Sequence, residues 1–367
     1  MRELVRRVGQ RVMVGFEGLT ASADVKHLIR ELGVGHVILF ARNVDRPEQV
    51  ADLVRELQSV ARDAGHDLPL LVGVDQEGGR VARLREPWTV WPPLRAVGRT
   101  GSQETARGMG RALAAELRAC GIRCDFAPVM DVDTNPKNPV IGDRAFGDDP
   151  ELVGRLGTAM IAGLQAGGVA ASAKHFPGHG DTDVDSHLSL PAVDHSRARL
   201  DNVELRPFRR AIEAGVAMIM TAHVLVRELD DRLPSTLSPR LLEELLRKEM
   251  KFPGVIVSDD LEMKAVAERW GSGKAAGLAA KAGCDLMTVS KTPDAQVAAI
   301  EELVRAAEAG ELSWEAMDAA AERVRRLKER FLLPYQDPDP KQARLVAGIG
   351  EHRRLAEEIA RQAGIPA

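Results

Sequence analysis

Gly168-Val169-Ala170-Ala171-Ser172-Ala173-Lys174-His175 is an apolar run of strand length that ends in a cation and an imidazole. An amphipathic, helix-like segment, Pro150 to Ala166, precedes it, and a loop broken by proline and glycine follows from Phe176 onward. An apolar run without polar alternation reads as a strand buried on both faces, as in a parallel sheet covered by helices. The pattern recurs. Comparable runs are Gln10 to Phe16, His36 to Phe40, Leu70 to Asp75, Cys124 to Asp131, Met218 to His223, Gly254 to Asp259 and Cys284 to Ser290. Helix-like stretches lie between or after them: Pro47 to Arg62, Glu104 to Arg118, Pro239 to Met250, Pro293 to Ala309 and Ser313 to Phe331. Pro47, Pro239 and Pro293 sit near helix starts, where a missing N–H is tolerated. Strands alternating with helices mean βαβ units. The expectation is an α/β fold, a single (β/α)8 TIM-type barrel, with a doubly wound open sheet as the alternative.

The ends of the runs favour the barrel. Asp75, Asp131, Lys174 with His175, His223 and Asp259 all stand where a strand finishes. A TIM barrel assembles its active site at that face from several strands. Polar residues that merely end strands would account for one or two of these positions.

Leu333 to Pro340 is punctuated by proline and reads as an extended linker. The barrel is therefore expected over residues 1–335. Residues 336–367 are a linker and a short helical tail rich in Arg, Glu and Ala, too small for a domain of its own. The tail either packs on the barrel exterior or joins another subunit.

The chain has 367 residues, 44% hydrophobic and 28% charged, enough for a large core. Its net charge of −4 excludes a nucleic-acid surface, which needs a basic excess. Cys120, Cys124 and Cys284 form neither a disulfide framework nor a zinc site and read as buried thiols. Met1 to Val8 lacks a long apolar stretch, so no signal peptide is read there. No segment is apolar for long enough to cross a bilayer. The expected location is cytoplasmic, with no membrane partner. Aromatic residues are 4% of the chain, which suits a small substrate better than a long polysaccharide.

The end of the fifth run and the loop after it carry Lys174, His175, His179, Asp181, Asp183, Asp185 and His187. Such a density of titratable groups in an irregular segment points to chemistry. Asp185-Ser186-His187 sets a carboxylate two positions from an imidazole, an arrangement that orients the ring and makes a proton shuttle near neutral pH. Asp259 and Asp260 follow a buried-type strand, and adjacent strand residues point to opposite faces. Asp259 is the candidate catalytic carboxylate, a nucleophile or a base, while Asp260 suits the cap of a helix beginning near Leu261. Lys174 and His175 could hold substrate hydroxyls or pair with a neighbouring carboxylate. The stretch from Gly73 to Arg83 gives an acid, then glycines, then Arg80 and Arg83, without the Gly-Lys-Ser/Thr of a phosphate loop. Arg144, in the loop from Val140 to Gly147, could donate into a pocket or pair with Asp143 or Asp148. His175, His179, Asp181 and His187 could ligate a metal. The first run, however, ends Gly15-Phe16-Glu17-Gly18 without the His-x-His that amidohydrolase-like barrels carry, so neither metal nor cofactor is expected.

Five motifs, in order, resemble those of bacterial β-N-acetylglucosaminidases of glycoside hydrolase family three. They are Gly73 to Val81, Ile141 to Phe146, Lys174 to Gly180, Asp185-Ser186-His187 and Ser258 to Leu261, and the similarity spans about Val12 to Leu333. The resemblance implies a retaining double displacement in which Asp259 attacks, His187 is the acid/base and Asp185 its partner. It implies that Asp75, Arg83, Arg144, Lys174 and His175 bind the sugar hydroxyls, and His223, at a strand end in the pocket, is carried over with them as substrate-binding. The implied substrate is a terminal β-linked N-acetylglucosamine on a small carbohydrate or muropeptide, which would fit cell-wall recycling. Longer relatives continue into a second α/β domain. The competing readings are a β-glucosidase, a phosphorylase on the same site, a metal-dependent amidohydrolase and a non-catalytic sugar-binding barrel.

Overall fold

Eight short parallel strands form the centre of the protein in the computed structural model, which describes residues 2–186 and 189–366. They are β1 (Val12–Val14), β2 (His36–Leu39), β3 (Leu71–Val74), β4 (Cys124–Asp125), β5 (Ala170–Phe176), β6 (Met218–Thr221), β7 (Val255–Val257) and β8 (Met287–Val289). Each pairs in parallel with its neighbours in the order β7-β6-β5-β4-β3-β2-β1-β8. A parallel bridge from Val257 to Leu286 joins the two ends, so the sheet closes into a barrel instead of lying open. The strand expected over Cys124 to Asp131 is regular only at its start. Beyond Asp125 it stays beside β5 through single bonds, such as the Met130 N–H to the Lys174 carbonyl at 2.6 Å, because Pro128 has no N–H to continue the ladder.

The main outer helices that follow the strands in turn are α1 (Ala23–Arg30), α2 (Pro47–Asp63), α3 (Gln103–Ala119), α4 (Pro150–Ala166), α5 (Leu205–Glu213), α6 (Arg240–Glu249), α7 (Ser272–Ala282) and α8 (Pro293–Glu308). Proline opens α2, α4 and α8, and the Asp149 side chain accepts the N–H groups of Glu151 and Leu152 at the start of α4. The α6 helix is wound with i→i+5 hydrogen bonds and turns Leu241, Leu242, Leu245 and Leu246 inward.

Side-chain alternation along the strands builds two cores. Val14, Val37, Leu39, Val72, Ala171, Ala173 and Ile256 face the outer helices. Met13, Ile38, Leu71, Phe126, Ala170, Met218, Val255 and Val257 fill the barrel. A further helix, α9 (Trp314–Leu332), adds Val324, Leu327, Phe331 and Leu332 to that inner core and closes the N-terminal end. Cys120, Cys124 and Cys284 are buried free thiols.

The tail forms two helices where one was expected, α10 (Pro340–Val346) and α11 (Gly350–Ala363). They break at Gly348, whose φ of 61° suits glycine and where a Cβ would lie 2.1 Å from the Pro87 carbonyl. The tail lies on the barrel exterior. The Glu116 carboxylate of α3 accepts the Gly348 N–H at 3.0 Å and lies 2.8 Å from His352 Nδ1. Among the described residues, no helix is long and apolar enough to cross a membrane.

Candidate active site

The same alternation places charged groups at the barrel mouth. On β5, Ala170, Ser172 and Lys174 point inward, so Lys174 stands at the top of the inner layer. On β7, Val255 and Val257 point inward, which puts Asp259 over the barrel and turns Asp260 away. Asp260 reaches β8, where its carboxylate accepts the Ser290 hydroxyl and, at 3.3 Å, the Ser290 N–H. It also accepts the Glu262 N–H at 3.0 Å. The next helix starts only at Lys264, so Asp260 closes a turn and does not cap a helix at Leu261. Burial pushes the Asp260 carboxyl up to about 6.

From Lys174 a continuous chain of charge crosses the mouth. Lys174 Nζ is 2.8 Å from Asp75 Oδ1 and 2.6 Å from Glu77 Oε1. Asp75 Oδ2 accepts Arg83 Nη2 at 3.2 Å. Glu77 takes Arg144 as a two-pronged pair, Nε at 2.9 Å and Nη2 at 2.8 Å. Arg144 is therefore not paired with Asp143 or Asp148 as the sequence also allowed; Arg80 takes Asp143 at 3.1 Å. Arg144 Nη2 is also 3.3 Å from His175 Nε2. His175 Nδ1 donates to Asp131 Oδ2 at 2.7 Å. Asp131, fully buried, also accepts the His179 N–H at 2.7 Å.

These contacts set the ionisation of the acids. Burial alone would raise Glu77, but Arg144 and Lys174 more than offset it and hold the carboxyl well below its usual range. Asp75 is held low against burial by Lys174 and Arg83. Burial likewise opposes ionisation of Asp259, yet His223, His175, the Asp260 N–H and Lys174 together keep it below the ordinary carboxylate range. Asp259 is thus an anion at the mouth of a barrel lined by cations and hydrogen-bond donors.

The predicted residues gather at one face. Asp75, Arg83, Arg144, Lys174 and His175 form one connected group. Asp259 lies close enough to feel His175 and Lys174. His223 is fully buried, with Nε2 2.9 Å from the Asp260 carbonyl and Nδ1 2.8 Å from Thr236 Oγ1. Asp185 lies in the loop after β5, its carbonyl accepting the Ser189 N–H at 3.0 Å. His187 lies outside the described residues. Glu77 was inside a quoted motif without a role; its spacing of two from Asp75 was the signal. Asp131 was noted as a strand end, and its grip on the Lys174-His175 strand end emerges only in three dimensions. Among the described residues no group of three or more His, Cys, Asp or Glu side chains is placed to hold a metal.

Comparison with known proteins fits this geometry. The family described as the glycosyl hydrolase family 3 N-terminal domain matches residues 3–327. A curated relative, β-hexosaminidase A of Pseudoalteromonas piscicida, is 36% identical over 93% of this chain; the chain spans only 60% of that protein's length. The β-hexosaminidase of Alkalilimnicola ehrlichii is 40% identical over 80% of this chain and 84% of its own. Among solved structures, a family 3 β-N-acetylglucosaminidase from Paenibacillus sp. superposes with a TM-score of 0.92 at 45% identity, covering 98% of this chain and 68% of its own. With the barrel closed, the charge at its mouth and the match over nearly its whole length, this chain belongs to glycoside hydrolase family three.

Proposed function

We propose that the protein is a retaining exo-β-N-acetylglucosaminidase that removes a terminal β-linked N-acetylglucosamine. The observation that carries this reading is Asp259, held ionised at the barrel mouth and facing the group built from Asp75, Lys174, Glu77, Arg144 and His175. An anionic carboxylate over a donor-lined cavity is what a nucleophile for an anomeric carbon requires. The names of the relatives, β-hexosaminidases and a β-N-acetylglucosaminidase, support the choice of sugar.

In the proposed reaction a carboxylate oxygen of Asp259 forms a bond to the anomeric carbon as the bond to the leaving oxygen breaks. Protonated His187, partnered by Asp185, gives its proton to that oxygen. The neutral imidazole then takes a proton from water as water displaces Asp259 from the sugar. Asp75, Arg83, Lys174, Arg144 and His175 hold the sugar hydroxyls, offering three cations, a carboxylate and one imidazole. His223 supports Asp259 from beneath through the Asp260 carbonyl. The natural substrate is proposed to be a peptidoglycan fragment handled in the cytoplasm during cell-wall turnover.

The test is hydrolysis of p-nitrophenyl N-acetyl-β-glucosaminide against the β-glucoside, with EDTA present. Activity confined to the N-acetyl substrate is expected, falling at least about a thousandfold in Asp259→Asn. Full activity of that variant would remove Asp259 from the chemistry. Activity lost in EDTA and restored by zinc would favour a metal hydrolase, and release of sugar 1-phosphate in phosphate buffer a phosphorylase.

A further inference from the structure

His179 belongs to none of the roles assigned so far, yet it is buried to 2% exposure and both ring nitrogens are engaged. The hydrogen bonds around it settle its tautomer. The Thr182 hydroxyl donates to the His179 carbonyl at 3.1 Å, so its oxygen accepts at 2.7 Å from His179 Nδ1–H. That leaves Nε2 without a proton, and it accepts the Ser186 hydroxyl at 3.0 Å. Burial and the neighbouring His175 push the imidazole down to about 4, which keeps this neutral form near neutral pH. The backbone of His179 is held in turn by Asp131, which accepts its N–H, and by Asn138 Nδ2, which donates to its carbonyl at 2.8 Å. Ser186 is tied a second time, its carbonyl accepting the Ala265 N–H at 3.3 Å. Ala265 belongs to the segment that follows Asp259. Ser186 is therefore fastened both to the sugar-binding strand end and to the nucleophile's side of the barrel. In the chain it is the residue between Asp185 and His187.

Resting on the hexosaminidase reading, we infer that His179 is a positioning residue that fixes the acid/base segment through Ser186. Its imidazole does not touch the sugar. It sets where Asp185 stands relative to Asp259, and a misplacement of about 1 Å can slow a proton transfer about a hundredfold.

The test exploits side-chain shape. The amide of Gln reaches roughly where Nε2 lies and keeps the Ser186 contact; the amide of Asn ends near Nδ1 and loses it. His179→Asn, His179→Gln and Ser186→Ala are compared on aryl and alkyl N-acetyl-β-glucosaminides of graded leaving-group ability, together with amide hydrogen exchange over residues 181–189. For the poorest leaving group, kcat/KM should fall about ten- to hundredfold in His179→Asn and in Ser186→Ala, and no further in the double variant. For the 2,4-dinitrophenyl glycoside, whose departure needs no acid, the fall should stay within about twofold. His179→Gln should recover most of the loss, and exchange over 181–189 should quicken only in the variants that lose the Ser186 contact. Equal losses across leaving groups, wild-type kinetics throughout, or a Gln variant as poor as Asn would each overturn the inference while leaving the hexosaminidase reading intact. A folded wild type inactive on the whole series would remove both. Should His179→Asn fail to fold, Ser186→Ala carries the same test, since it deletes only one hydroxyl.

Discussion

Glu77 decides the electrostatics of the mouth. It is a carboxylate with 1% side-chain exposure, bonded to Lys174 on one side and to both prongs of Arg144 on the other. Removing its charge would leave Lys174 with Asp75 alone and take from Arg144 the carboxylate it is paired with. Glu77→Gln should lower stability by about 3–5 kcal/mol and raise KM, because both cations lose the partner that aims them. The sign with pH follows from the depressed carboxyl. The stabilisation from Glu77 is complete above its ordinary value of 4.5 and is lost as pH falls from there toward the folded-state value. The wild type and Glu77→Gln should therefore converge in denaturant titrations as the solution is acidified below pH 4.5. A gap that is constant with pH would mean that Glu77 acts through shape and not charge. Asp259 and Asp260 show how much one residue's role owes to strand periodicity: alternation assigned the inward direction to Asp259, and the structure gives Asp260 to Ser290 and Glu262.

The segment from Phe176 to Gly180 carries β5 into the acid/base loop, and it does so by lying almost flat on its neighbours. A Cβ on Gly180 would come within 1.8 Å of the Val132 carbonyl oxygen, and one on Gly178, at φ 137°, within 2.9 Å of Glu204 Cβ. Gly180→Ala must lift the loop off the strand-four side. It should lose about 1–3 kcal/mol of stability and, because Thr182 and Ser186 lie just downstream, at least about tenfold in kcat/KM. Urea melts and kinetics on the same sample check both, and unchanged kinetics would show that the loop's seat does not matter to the chemistry. The barrel strands were legible because their apolar runs are unbroken. Some helices were not. The Ser272–Ala282 helix buries Ala275, Ala276, Ala279, Ala280 and Ala282, and a face made of alanine leaves no contrast for a periodicity to reveal. The contacts of the site were hidden for another reason. Lys174 meets Asp75 and Glu77 across nearly a hundred residues of chain, and Asp131 meets His175 across strands, so these pairs exist only once the barrel has closed.

The molecule as a whole is polarised along the barrel axis, with the charged mouth at one end and α9 sealing the other. That seal contains a charge the function does not use. Lys328, on α9, is 2% exposed, and its ammonium makes two weak contacts with neutral groups, Gln10 Oε1 at 3.3 Å and the Gly35 carbonyl at 3.5 Å. Among the described residues no carboxylate lies within salt-bridge distance of Lys328, and burial drives the amine from its ordinary 10.5 down to about 7. A base whose folded-state value is depressed is stabilising only where it is neutral. The native state sheds this proton near pH 7 and the unfolded chain near 10.5, so stability should rise as pH climbs from 7 to 10.5, and below 7, where both states carry the proton, the destabilisation is complete and no longer changes with pH. Lys328→Met keeps the stem's volume and removes the charge. At pH 6 the variant should exceed the wild type by about 1–3 kcal/mol, and the two should converge between pH 7 and 10.5 as the wild-type amine loses its proton. Guanidinium titrations of both proteins across that range measure the difference directly. A difference independent of pH would place a hidden counter-charge beside Lys328, and a variant less stable at every pH would make the amine a needed hydrogen-bond donor to Gln10 and Gly35 at the barrel floor.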